Sequence, residues 1–148
     1  MMKNSKMKTF SFSAMLFVAA MLFATTAMAE IAIIANTGSG ASELNASTAK
    51  KLFLGKLKSI DGIAKVTVVG QVDDSPIKEE FTKKITKKSL SKFKAYWSKK
   101  IFSGKAVPPK ELENDAEVKA YVAGHADAVG YIDAASVDST VKVLFRAP

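Results

Sequence analysis

Ile31-Ala32-Ile33-Ile34-Ala35, followed at once by Asn36-Thr37-Gly38-Ser39-Gly40, is the stretch on which the fold turns. The apolar run is too short for a self-sufficient helix, and its isoleucines favour extended backbone. It reads as a buried strand. The five residues after it favour a sharp change of direction. A lone glycine-rich loop of this kind fits a tight strand-to-helix turn, and its place at a strand end also leaves it open to ligand contact.

Working outward, Asn45 is placed to cap a helix through Ala49, Leu52 and Phe53, with Gly55 ending it. Val66-Thr67-Val68-Val69 reads as a second strand, stopped by Gly70. Ser75-Pro76 predicts the start of a second helix, serine as cap and proline in the first turn, where its missing N–H is harmless. Ile77, Phe81 and Ile85 give that helix an apolar stripe. A third helix is expected from Ser89, with Leu90, Phe93, Trp97 and Ile101 on one face, and Gly104 with Pro108-Pro109 ends it. Asp115 is expected to cap a fourth helix that buries Val118, Tyr121 and Val122. Strands over 128–132 and 141–144 close the chain. Interleaved strands and helices predict the α/β class, a mixed sheet flanked by helices.

The N-terminus carries different information. Lys3, Lys6 and Lys8 precede an apolar run from Ala14 to Ala24, which ends at Ala27-Met28-Ala29. A basic start, a short apolar stretch and an A-x-A end predict a secretory signal peptide over 1–29. The run is shorter than the roughly 20 residues a bilayer-spanning helix needs. Residues 30–148 then form one extracytoplasmic domain with no membrane span after cleavage, long enough to bury a core. The net charge of +8 includes the three leader lysines, so the remainder stays basic.

There is no cysteine and one histidine, His125. Disulfides, thiolate metal sites and histidine clusters are therefore excluded, and no cofactor or metal is expected. The aspartates at 73, 74, 127, 133 and 138 follow no calcium-loop spacing. No serine sits in a nucleophile-elbow sequence, so enzymatic chemistry is not expected. Lysines crowd positions 83–100, mostly off the apolar stripes. They read as solvated helix faces, with no specific nucleic-acid partner.

Several landmarks together resemble one family. Leu52-Phe53-Leu54-Gly55-Lys56 resembles the "IFLGK" helix end of phosphate-binding proteins of ABC transporters. Tyr96-Trp97, Phe102-Ser103-Gly104-Lys105 and Pro108-Pro109 resemble a short branch of that family. Glu117-Val118, Tyr121-Val122 and Val129-Gly130-Tyr131 resemble its "EVxxYVxxxPGAIGY" segment. The resemblance implies the type-2 periplasmic binding protein fold, of which this chain could supply roughly one lobe. It implies a periplasmic solute-binding-type protein, with phosphate or another oxyanion as ligand and an ABC transporter permease as partner. A homodimer would be one way to rebuild a two-lobed cleft.

The family's "GSGTRE" loop opens a phosphate-holding helix, and Asp74-Ser75-Pro76-Ile77-Lys78-Glu79 stands in its place. Here Ser75 is kept, Lys78 stands for the arginine, Pro76 for a glycine and Ile77 for the threonine. The ligand-binding set implied is Thr37 and Ser39 from the first loop with Ser75 and Lys78 from the second helix start. The alternative is a single-lobe interaction module that binds a protein or envelope polymer without small-ligand transport.

Overall fold

The computed structural model describes residues 28–148. The signal peptide expected over 1–29 falls outside the described residues except for Met28 and Ala29. No described helix is long and apolar enough to cross a membrane.

Five strands make one mixed sheet: β1 (Ile31–Asn36), β2 (Thr67–Gln71), β3 (Lys110–Leu112), β4 (Ala128–Asp133) and β5 (Val141–Ala147). Their order across the sheet is β3-β2-β4-β1-β5. β2 runs parallel to both β3 and β4, while β1 is antiparallel to β4 and β5. The deciding run is therefore central. Because side chains alternate along a strand, Ile31, Ile33 and Ala35 enter one core and Ala32 and Ile34 enter the other.

Helices α1 (Ala46–Phe53), α2 (Lys78–Phe81) and α3 (Leu90–Phe102) cover the first face. Helix α4 (Asp115–Gly124) covers the second, through Val118 and Val122. Asn45 caps α1 as expected, its side chain accepting from the Thr48 amide at 2.8 Å. Ser89 caps α3 in the same way.

Four local expectations are corrected. Gly70 does not stop β2, which continues to Gln71; a Cβ at Gly70 would only touch the Tyr131 ring. Ser75 does not cap α2: it lies in a turn before the helix, which begins at Lys78 and passes into a π-helical turn, Thr82–Thr86. Asn114, not Asp115, caps α4, accepting from the Glu117 amide at 2.9 Å. Ile101 is 45% exposed at the end of α3 rather than part of its buried stripe.

Candidate functional site

Strand topology decides where a ligand can sit. After β2 the chain crosses the first face through α2 and α3, and after β3 it crosses the second through α4. Neighbouring strands whose connections leave to opposite faces open a crevice at their carboxyl ends, the usual ligand position in such sheets. Here that crevice lies beyond Gln71 and Leu112, between the turn at Ser75 and the start of α4.

Three side chains fill its centre. The Gln71 amide nitrogen donates to Asp115 Oδ1 at 2.8 Å and to the Tyr131 carbonyl at 3.1 Å. The Ser75 hydroxyl donates to Gln71 Oε1. Asp115 Oδ2 accepts from the Asp133 amide at 3.1 Å and from the Ser136 hydroxyl at 2.9 Å. A carboxylate of the chain itself thus stands in the first turn of α4, where a helix favours negative charge.

Beside this network, toward the first face, lies a cleft of about 190 Å³. Phe81, Phe93, Trp97 and Tyr131 are among the side chains lining it. Phe81 stacks on Tyr131 with centroids 3.6 Å apart and planes within 3°. Burial pushes the Tyr131 hydroxyl pKa up; the same oxygen accepts from the Gln71 amide at 3.1 Å. The Trp97 indole N–H is buried and has no acceptor. Such orphaned donors are uncommon in native interiors.

Lys78 sits at the polar end of the cleft and is only 3% exposed. Its ammonium lies 2.9 Å from Asp73 and 2.8 Å from Glu111. Asp73 also pairs with Lys94 at 2.8 Å. The Lys94 hydrogen bond, then that of Lys78, holds the Asp73 carboxyl below the usual carboxylate range. Two lysines and two carboxylates balance, so the cleft offers no surplus positive charge.

The four residues expected to share a ligand do not converge. Ala35 pairs with Val129 and Thr67 with Ala128, so the end of β1 lies beside the starts of β2 and β4. Thr37 and Ser39 follow from that end, whereas Ser75 and Lys78 follow from the far end of β2. The six residues of β1 alone separate the two ends by about 17 Å. Ser39 closes a local turn, its hydroxyl donating to the Asn36 carbonyl at 2.8 Å, and Thr37 is exposed. Ser75 borders the crevice and Lys78 the cleft beside it, with Gln71 lining both.

No protein-family model matches the sequence, and no curated protein matches it significantly. Solved structures do match. A phosphate ABC transporter substrate-binding protein with bound phosphate from Clostridium perfringens aligns at 20% identity and a TM-score of 0.62. The alignment covers 79% of this chain and 45% of that one. An ABC-type phosphate transport receptor from Vibrio cholerae aligns at 20% identity, TM-score 0.60, over 79% and 47%. PstS from Borrelia burgdorferi gives 11%, 0.57, and 78% and 47%. What is shared is the fold. The chain spans about half the length of these proteins.

Sequence reading missed Gln71, Glu111 and Asp115 as members of the site. Glu111 lies on β3, a three-residue edge strand, Lys110-Glu111-Leu112, whose polar composition gives no strand signal. Gln71 was concealed by the expectation that β2 ends at Gly70.

Proposed function

We propose that the chain is a non-enzymatic, extracytoplasmic binding module built on one solute-binding-type lobe, whose cleft engages a protein or envelope polymer rather than free phosphate. The observation that carries this reading is the state of Lys78. It is buried, and both Asp73 and Glu111 already lie against it. A phosphate dianion would have to displace one carboxylate and would still face the other. The Ser75 hydroxyl is directed to Gln71, and Pro76 contributes no N–H. What the cleft does offer is aromatic surface and balanced charge. Those features suit a partner with apolar and mixed polar groups.

A second reading is favoured by the fold neighbour solved with bound phosphate: a phosphate- or oxyanion-binding component of, or related to, an ABC transporter, with Ser75 and Lys78 as its contacts. Equilibrium dialysis against labelled phosphate separates the two. The first reading expects no retention at millimolar phosphate; saturable retention that sulfate does not compete away would replace it with the second. A photo-crosslinking residue at Ser98, on the cleft wall, should capture a defined partner in cells. The same group at Glu43, exposed on the connection before α1, should not.

A further inference from the structure

The end of α3 and the loop after it form a tip that presents apolar side chains to water, with Ile101 also bordering the cleft. Phe102 is 97% exposed and Val107 87% exposed, with Ile101 beside them at 45%. Large apolar side chains presented so fully to water within the short segment 101–107 point to an interaction surface. Behind the tip, between this loop and the segment after α1, runs a groove of about 860 Å³. Its floor is apolar, with Leu52, Val68 and Trp97 among its residues. Its charged lining consists of Lys58, Lys65, Lys105 and Lys110, and no carboxylate lines it. All four lysines are exposed, and among the described residues none forms an ion pair.

Some helix-face lysines are neutralised, Lys83 by Glu79 and Lys94 by Asp73; the groove differs in having no carboxylate among its lining residues. Here Lys58, Lys65 and Lys105 have no carboxylate partner among the described residues, while the Lys110 ammonium lies over the Tyr121 ring at 5.5 Å. Exposed apolar side chains next to a lysine-lined groove without carboxylates suit a membrane interface carrying anionic headgroups. A protein partner would more commonly meet a surface of mixed charge with an arginine or tyrosine anchor.

We infer that the tip Ile101–Val107 docks onto an anionic phospholipid surface. Phe102 and Val107 enter the interface, and Lys58, Lys65 and Lys105 neutralise lipid phosphates at the groove. Docking holds the lobe at a membrane without a spanning helix and leaves the face carrying α4 free. The inference does not rest on the cleft reading, since neither Lys78 nor Ser75 takes part, although Trp97 lines both cleft and groove.

Sedimentation with sucrose-loaded vesicles tests it, using the protein, phosphatidylcholine vesicles and phosphatidylcholine–phosphatidylglycerol vesicles. Binding is expected only with phosphatidylglycerol present, and it should weaken as salt is raised. F102S/V107S should abolish it. K58Q/K105Q should weaken it about 25-fold, roughly fivefold per lysine. All four positions are exposed, so unchanged thermal unfolding of the variants should show intact folding. Trp97, the single tryptophan, lines the groove, and brominated phosphatidylglycerol should quench it. No vesicle binding, equal binding to phosphatidylcholine, or binding unaffected by F102S/V107S would overturn the inference. Competition by inorganic phosphate at matched ionic strength would assign the groove to a free anion instead. Heparin binding that equals vesicle binding and ignores F102S/V107S would make the tip a general polyanion site and also overturn it.

Discussion

Lys78 and Glu111 meet at 2.8 Å across 33 residues of sequence, tying the start of α2 to the edge strand β3. The ammonium is buried while the carboxylate is half exposed. That asymmetry makes the two partners unequal in what their removal should do.

Replacing Lys78 by methionine keeps the packing and returns two partly exposed carboxylates to water. The expected cost is about 2 kcal/mol, the scale of a charge-assisted hydrogen bond. Replacing both carboxylates, D73N/E111Q, leaves a buried ammonium without a counter-charge, and unpaired buried charges cost about 3–5 kcal/mol. Urea unfolding should therefore rank D73N/E111Q below K78M. Equal stabilities would mean that Lys78 is solvated in solution.

Acid should weaken the same cluster. The Asp73 pKa in the folded chain lies below its ordinary value of 3.8, held there first by Lys94 and then by Lys78. Its contribution to stability is complete above that value and disappears as pH falls through the folded pKa. Asp138, held at about 2 chiefly by Lys119, behaves alike. The Tm difference between the wild type and D73N should therefore shrink below about pH 4. A constant difference down to pH 2 would show that Asp73 gains nothing from its lysines.

Gly130 lies on β4 beneath α4. A Cβ there would come within 2.8 Å of Val118 Cγ1 and 3.3 Å of the Val69 carbonyl. G130A should cost about 1–3 kcal/mol by forcing the helix off the sheet. G104A probes a different effect, because nothing lies within 4 Å of its Cβ and only the φ of +69° resists it. It should cost about 1 kcal/mol. Chemical denaturation of the two variants separates crowding from backbone strain.

Much of this architecture was legible because central elements carry strong local signals. Ile31–Ala35 is apolar throughout and lies between two strands, so burial and sequence agree. Asn45 and Ser89 announce their helices because their side chains do the capping. The site was less legible. Ser75-Pro76 looks like a helix start, yet the serine hydroxyl is drawn to Gln71, four residues back, and the helix opens at Lys78 without a side-chain cap. Thr37 and Ser39 follow a strand end, as binding loops do, but β1 is antiparallel to β4 and carries them away from the crevice. Strand direction is a property of the assembled sheet, and no local pattern in either loop reveals it.

Ser75 separates the two functional readings on a finer scale. S75A should cost about 1 kcal/mol, the net worth of its hydrogen bond to Gln71, and should leave the response to phosphate unchanged. A phosphate response present in the wild type and lost in S75A would make the hydroxyl a ligand contact.

The most direct test of the central claim, that the chain's own carboxylates take the place of an anion on Lys78, is thermal unfolding of the wild type and D73N/E111Q. Both are melted in millimolar phosphate, with sulfate and chloride at matched ionic strength as controls. The wild type should show no phosphate-selective change, and D73N/E111Q, with Lys78 released, should gain one. A ligand at about 100 times its dissociation constant adds roughly 2.7 kcal/mol, on the order of 10 °C for a domain of this size. A shift of that kind in the wild type would show that phosphate reaches its site despite Asp73 and Glu111, and would contradict the account.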